Sequence, residues 1–178
     1  MFLIYVNDLC YQSDLLHSIL FADDTNFLIS GRNINDIVNI LNIELSKIHE
    51  WFKCNKLSLN IKKTKCVVFC SKNKKYDKRE VNVKIDGVSI EQVDSIKFLG
   101  VIIDENLNWQ KHVQHIKNKV TKCIGILLCA RRKLDIGTLR TLYNTLILPY
   151  LSYCITIWGN TYHCYTSRIV NNDMYYPK

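Results

Sequence analysis

The stretch from 17 to 30 limits the fold more than any other part of this sequence. Two runs rich in Ile, Leu and Phe flank an adjacent acidic pair, Asp23 and Asp24. Apolar runs that meet at a short polar interruption are typical of two strands joined by a tight turn. The pattern therefore predicts a β-hairpin that carries both carboxylates at its tip.

The acidic pair has a structural explanation and a chemical one. Asp is common in turns because its side chain hydrogen-bonds to nearby backbone groups. Hard divalent cations such as Mg²⁺ prefer carboxylate oxygens, and a hairpin tip holds such oxygens more rigidly than a mobile loop does. The residues alone leave both explanations open.

The distribution of charge favours a polyanionic partner. The chain has 178 residues, 48% hydrophobic and 22% charged, which is typical of a folded domain, and its formal net charge is +8. Two segments, residues 53–79 and 110–142, contain 18 of the 24 Lys and Arg residues. Such segments occur as solvated surfaces or as contacts to nucleic-acid phosphates.

The eight cysteines are not interpreted as a disulfide framework. The first six residues lack the basic start of a secretory signal, so we expect an intracellular protein, nuclear or cytoplasmic and not secreted. Cys66 and Cys70 have no second pair at zinc-finger spacing, so no zinc site is predicted. No apolar run reaches the roughly 20 residues of a membrane helix, so no membrane partner is expected.

Two stretches repeat apolar residues every three or four positions, which predicts amphipathic helices. The first begins at a cap formed by Asn33 or Asn35 and runs to about Cys54. The second runs from Trp109 to about Leu127. The apolar face of the first helix is expected to pack on the sheet that carries the acidic pair.

Two further breaks are readable in the sequence. Asp86 and Gly87 interrupt a stretch of alternating apolar and polar residues, which predicts a second hairpin. A third helical pattern between 139 and 146 meets Pro149, where a helix must kink or restart.

Four segments carry a resemblance to a known family. Residues 21–24, Phe-Ala-Asp-Asp, followed by Ser-Gly, resemble the aromatic-x-Asp-Asp box of reverse transcriptases of non-LTR (LINE-type, jockey-like) retrotransposons. Residues 57–64 resemble the family's Leu-x-Leu-Asn-x-x-Lys-Thr segment. Residues 98–112 are similar to its Phe-Leu-Gly-Val-x-Ile-Asp motif followed by Leu-x-Trp-x-x-His. Residues 142–160 resemble its thumb-like region, so the match covers nearly the whole chain in order.

For the acidic hairpin and the lysine segment, the resemblance implies catalytic roles. Asp23 is the implied ligand of the two Mg²⁺ ions of the intact family, and Asp24 a weaker second ligand. Lys63 is the implied general acid and charge clamp beside the departing pyrophosphate. Lys62 and Lys65, its neighbours, are implied nucleic-acid contacts.

For the later segments, the resemblance implies nucleic-acid binding. The strand that contains Phe98, Leu99 and Gly100 corresponds to the primer grip, where a glycine lets a nucleic-acid backbone approach closely. A strand bulge explains Gly100 equally well. A basic cluster follows the second long helix, where it contacts nucleic acid or complements the helix dipole: Arg131, Arg132 and Lys133.

The implied fold class is α+β. Residues 1–108 are expected to form a partial polymerase palm, an antiparallel sheet with a packed helix that includes the primer-grip hairpin. Residues 109–178 are expected to form a mostly helical, thumb-like region. RNA template, DNA primer and dNTP are the implied partners.

The resemblance also predicts that the metal site is incomplete. In the family, an earlier palm strand supplies a principal metal-ligating Asp, and a Gln-Gly box precedes the segment that matches Met1–Leu9; neither occurs here. Asp8 and Asp104 match family positions outside the metal site. We therefore expect a chain that does not polymerise DNA by itself and lacks an N-terminal polymerase half. The alternatives are a non-catalytic basic nucleic-acid-binding module and a subunit completed in trans.

Overall fold

The computed structural model describes residues 2–70, 77 and 80–161. The chain divides into two compact units, Met1–Val93 and Asp94–Lys178. This boundary puts residues 95–104 in the second unit, whereas the sequence predicts a first domain of residues 1–108. None of the described helices combines the length and apolarity needed to cross a lipid bilayer.

The first unit contains one long helix and several short strands. A 3₁₀ helix, Asn7–Tyr11, follows the first helix of the unit, Phe2–Tyr5. The elements are α1 (Phe2–Tyr5), β1 (His17–Phe21), β2 (Asp24–Leu28), α2 (Ile34–Cys54), β3 (Lys65–Cys66), β4 (Lys84–Ile85), β5 (Val88–Ser89) and β6 (Glu91–Gln92).

Helix α2 confirms the predicted amphipathic helix. Asn33 is its cap, and its side chain accepts a hydrogen bond from the backbone N–H of Asn35. The buried side of α2 contributes Leu45, Ile48 and Trp51 to the core of the first unit. Hairpin residues on β1 and β2 pack against the same core, so α2 and the acidic hairpin share one core.

The described strands form four two-stranded sheets. Pairs β1–β2 and β4–β5 are antiparallel, and β3–β6 is parallel. The hairpin predicted at Asp86 and Gly87 is confirmed, but each of its strands is only two residues long. This hairpin pairs with none of the other described strands. The side chain of Asn42 fixes it to α2. The Asn42 side chain accepts the N–H of Lys84 at 2.8 Å and donates to the carbonyl of Asn82 at 3.1 Å.

The described residues of the second unit, 94–161, form a hairpin and four helices. Strands β7 (Ser95–Phe98) and β8 (Val101–Asp104) are antiparallel. The helices are α3 (Gln110–Ala130), α4 (Ile136–Leu146), α5 (Leu148–Ser152) and α6 (Ile155–Trp158). The core of this unit lies between α3 and the later helices and is formed by Val113, Ile116, Val120, Leu127, Ile147 and Trp158.

The helix predictions in this unit are confirmed. Helix α3 covers the predicted apolar repeat, and its buried residues fall on one stripe. Helix α4 ends at Leu146 and α5 begins with Pro149 in its first turn, where the missing N–H costs no hydrogen bond. The chain therefore restarts at the proline, as expected.

Candidate functional site

The tip of the β1–β2 hairpin holds the acidic pair. Phe21 pairs with Asp24, so the loop consists of Ala22 and Asp23 alone. Ala22 has a φ of 53°, which is uncommon for a residue with a side chain. Both Asp23 and Asp24 are exposed. The predicted hairpin with two carboxylates at its tip is confirmed.

The two faces of the hairpin have different surroundings. Leu20 and Phe27 pack against the core of the first unit. Phe21 and Leu28, on the opposite face, are 57% and 45% exposed. Because cross-strand partners share a face, Asp24 lies on the exposed face beside the Phe21 ring. Asp24 is therefore presented on a solvent-exposed face of the hairpin that also carries the apolar side chains of Phe21 and Leu28.

The oxygen donors of this tip suit Mg²⁺ in kind. Mg²⁺ in proteins is commonly held by one or two carboxylates, with water and substrate phosphates completing its six ligands. Within the residues the structure describes, no group of three or more His, Cys, Asp or Glu side chains is arranged for a metal ion. Asp23 and Asp24 thus offer carboxylate oxygens of the kind that Mg²⁺ binds, and no other acid of the described residues completes a cage around them.

Two other acidic side chains of the described region, Asp8 and Glu44, have structural partners. Asp8 accepts a hydrogen bond from the indole N–H of Trp51 at 3.4 Å. Glu44 is buried on α2 and pairs with Lys47 at 2.6 Å. Hydrogen bonds from Lys47 and then Ser13 lower the pKa of Glu44, so this carboxylate is ionised and engaged within the fold.

The lysine segment is organised by a turn. The Asn60 side chain accepts the N–H of Lys63 at 3.2 Å, and the Asn60 carbonyl accepts the N–H and the hydroxyl of Thr64. The turn therefore explains the Asn and the Thr of the Asn-x-x-Lys-Thr spacing, whereas Lys63 contributes only its backbone N–H to it. Lys62 and Lys63 are exposed at this turn. Lys65 differs, because β3 places its ammonium in an ion pair with Glu91 of β6.

The segment that the resemblance predicts to be a primer grip forms a tight hairpin. Phe98 pairs with Val101 across the strands, which leaves Leu99 and Gly100 as a two-residue loop. Their φ values are 44° and 87°, as in the turn type that suits a twisted hairpin. Gly100 is therefore explained by a turn and not by the strand bulge considered from the sequence.

Tyr153 occupies the space beside this loop. Its hydroxyl donates a hydrogen bond to the carbonyl of Leu99 at 2.7 Å. A Cβ placed on Gly100 would lie 3.3 Å from the ring of Tyr153. The group that approaches Gly100 closely is therefore the Tyr153 side chain, which belongs to the same unit.

Two buried residues that sequence reasoning did not assign hold the β7–β8 hairpin in place. The Asp104 carboxylate accepts backbone N–H groups of Asn106, Asn108 and Trp109 at 2.9 to 3.2 Å. Nδ1 of His112, only 1% exposed, accepts the N–H of Ile102 at 3.2 Å. The signal was present in the Ile-Asp and Leu-x-Trp-x-x-His motifs, whose spacing the structure explains as a loop cap and a helix-to-strand contact.

The environment of His112 favours the neutral imidazole. Its ring meets Trp158 edge-on, with centroids 5.4 Å apart, and its Nε2 has no hydrogen-bond partner among the described residues. Burial, and secondarily the positive charge of His115, lower the pKa of His112. The acceptor role of Nδ1 requires the same uncharged state.

The basic cluster lies just beyond α3. Arg131, Arg132 and Lys133 are exposed, and the backbone N–H of Arg131 continues the helical bonding to Leu127. This position is compatible with both a contribution to helix stability and a contact with phosphates.

Comparison with known proteins identifies relatives over most of the chain. A probable RNA-directed DNA polymerase from transposon X-element of Drosophila melanogaster is 27% identical over 84% of this chain. A retrovirus-related Pol polyprotein from the type-1 retrotransposable element R1 of Bradysia coprophila is 26% identical over 86%. An RNA-directed DNA polymerase from mobile element jockey of Drosophila funebris is 28% identical over 84%.

The match covers a small part of each relative. The chain spans 16%, 15% and 16% of the length of these three proteins. No family model matches the chain. No solved structure gives a significant match.

Proposed function

From its homology with the RNA-directed DNA polymerases of non-LTR retrotransposons, we propose that this chain forms part of such a polymerase. In this proposal the first unit is the portion of an α+β palm that carries the acidic hairpin. The β7–β8 hairpin is the primer grip, and the helices after it are thumb-like. RNA template, DNA primer and dNTP are the ligands of the assembled site.

The proposal depends above all on one observation. The Phe-Ala-Asp-Asp segment, within a region similar to these polymerases, forms a two-residue hairpin loop with exposed carboxylates at the tip. A solvent-facing acidic pair on a rigid strand pair is suited to binding metal ions next to a triphosphate.

The side chains of this chain have distinct roles in the proposed reaction. Asp23 would be the principal carboxylate ligand for the two Mg²⁺ ions and Asp24 the weaker one. Mg²⁺ held by these residues would supply Lewis-acid activation of the primer 3′-hydroxyl and charge neutralisation at the triphosphate. Lys63, exposed on the Asn60 turn, is proposed to protonate or neutralise the pyrophosphate as it leaves.

We further propose that these 178 residues do not extend a primer by themselves. The two carboxylates are neighbours on one loop, and no third acid of the described residues joins them. Neighbouring ligands on one side cannot surround a pair of ions that must hold both the attacking and the leaving oxygen.

Primer extension tests this proposal. Purified chain, Mg²⁺, a primed RNA template and all four dNTPs are expected to give no product above background. Addition of a polymerase fragment that carries the other palm acid is expected to restore synthesis with wild-type chain and not with Asp23→Ala. Synthesis by the chain alone that Asp23→Ala abolishes would show that the site is complete, and failure to restore synthesis would count against completion in trans.

A second candidate function is supported by the exposed cations. Lys62 and Lys63 in the first unit and Arg131, Arg132 and Lys133 in the second are available to phosphates without catalysis. A non-catalytic binding module predicts salt-sensitive affinity for duplex that Asp23→Ala leaves unchanged. Affinity that stays constant between low and moderate salt would exclude this function.

A further inference from the structure

A group of cations lies on the second unit where the β7–β8 hairpin meets α3. Nζ of Lys111 donates a hydrogen bond to Oγ of Ser95 at 3.0 Å, which fixes the start of α3 beside the start of β7. Lys97 follows Ser95 by two positions and lies on the same strand face. His115 follows Lys111 by four positions, about one helical turn, and Lys119 by another.

The β7–β8 hairpin is held against α3 at a second point. Ile102, the cross-strand partner of Lys97, donates its backbone N–H to His112. His115 is three positions beyond His112 on the same helix. Two anchors therefore hold Lys97 close to the helix surface that carries His115 and Lys119.

Among the described residues, carboxylates lie near the Lys111 end of this group, where Asp94, Asp104 and Glu105 line a pocket together with Lys111. Burial is the main cause that lowers the pKa of His115, and the charges of Lys119 and Lys97 lower it further. The other titratable group that interacts with it, His112, lies on the same helix and is neutral. Within the part of the chain that the structure describes, no carboxylate forms an ion pair with Lys97, His115 or Lys119. An anion placed here would be attracted by all three side chains.

We propose that Lys97, His115 and Lys119 form a binding site for a phosphodiester group of a bound nucleic-acid strand. The inference rests on the proposed function, because the site lies one residue from the hairpin segment proposed to grip the primer. The two ammonium groups supply point charges, and the imidazolium supplies a directed N–H donor once protonated. Binding at this site is therefore coupled to protonation of His115.

The coupling gives the experiment a direct signal. The pKa of His115 is measured by NMR of its ring protons in the full chain, with and without a 12-base-pair RNA–DNA duplex. We expect the duplex to raise this pKa by about one unit or more, because an opposite charge within a few Å favours the protonated ring. Affinity should accordingly increase as the pH is lowered from 7.5 to 5.5, and His115→Gln should reduce this increase.

Charge-removing variants give an independent readout. Lys97→Gln with Lys119→Gln should raise the pKa of His115 in the free protein and decrease the salt dependence of duplex binding by about one or two phosphate contacts. Lys117→Gln is the matched control: it removes the same charge from α3, about 200° around the helix from His115. The control should change neither the pKa of His115 nor its response to duplex.

The outcomes separate this site from the proposed function. If the duplex binds and the pKa of His115 does not move, the phosphate site is wrong and the proposed function stands. If no duplex binds but inorganic tripolyphosphate raises the pKa of His115, the anion site stands and the proposed function fails. If neither probe binds, both are wrong.

Discussion

At the scale of single residues, the stability of the second unit depends on keeping His112 uncharged. In the folded chain its Nδ1 accepts the N–H of Ile102, and burial lowers its pKa below the ordinary value of 6.5. The unfolded chain binds a proton near pH 6.5, and the folded chain does so only at lower pH. The contribution of neutral His112 to stability is therefore fully present above pH 6.5 and is lost as the pH falls from 6.5 through the lower pKa of the folded state.

Urea unfolding between pH 7.5 and 5.0 measures this dependence. We expect the urea concentration at the unfolding midpoint to decrease as the pH is lowered below 6.5. This decrease should be smaller in His112→Gln, which is itself destabilised because the His112 ring fills a buried site. His115→Gln is the comparison variant. It removes a second histidine of lowered pKa that is less buried, so it should affect stability at pH 7.5 less. A wild-type midpoint that is constant over this range would contradict the assignment.

Backbone strain at the acidic tip is also a property of one residue. Ala22 adopts a φ of 53°, which costs a residue with a Cβ roughly 1–2 kcal/mol, whereas glycine adopts it freely. Glycine also loses more conformational entropy on folding than alanine does, and this loss offsets part of the relieved strain. Ala22→Gly should therefore stabilise the first unit by a net value of about 0.5–1 kcal/mol. The control Ala130→Gly, at the end of α3, should destabilise the second unit by about 0.5 kcal/mol. Denaturant titration of both variants provides the measurement.

At the scale of secondary-structure elements, the β7–β8 loop is constrained both by its backbone conformation and by the Tyr153 side chain. Gly100 has a φ of 87° and would carry a Cβ 3.3 Å from Tyr153, whereas Gly87 has a φ of 74° and open space around it. Gly87→Ala should therefore cost about 1 kcal/mol from backbone strain, and Gly100→Ala more because of the additional contact. Gly125→Ala, within α3 and in open space, should instead stabilise by up to about 1 kcal/mol. Equal costs at Gly87 and Gly100 would mean that Tyr153 does not restrict the loop.

The elements also show what a sequence can reveal by itself. Helices α2 and α3 were predictable because one apolar face repeats over 21 residues in each. The acidic hairpin and the break at Pro149 were predictable because turns and prolines act locally. The pairing of β3 with β6 was not, because each strand is two residues long and the partners lie 26 positions apart.

For the candidate site, the sequence identified which residues to examine but not what they contact. Asp104, His112 and Tyr153 bond to backbone groups, so the motifs that contain Asp104 and His112 mark these positions without revealing their partners. The ion pair that engages Lys65 depends on the same unpredicted strand pairing. Exposed Asp23, Asp24 and Lys63 contact little else in the fold, so their roles come from the family resemblance and remain proposals.

At the scale of the whole molecule, each unit has its own core. The first core includes Trp51, and the second includes Trp158 with Trp109 packed against it. The described core residues of the first unit all precede position 94, and those of the second all follow it. Because buried apolar surface is the main stabilising contribution, the two units are expected to unfold in separate transitions.

Tryptophan fluorescence can assign each transition to a unit. In Trp51→Phe the remaining signal comes from Trp109 and Trp158, and in a Trp109→Phe, Trp158→Phe variant it comes from Trp51 alone. Added to these backgrounds, Ala22→Gly should shift only the transition reported by Trp51, and Gly100→Ala only that reported by Trp109 and Trp158. If both substitutions move both transitions equally, the units unfold as one cooperative structure. The hairpin that carries Asp23 and the hairpin that carries Gly100 would then be coupled in stability, although each packs within its own unit.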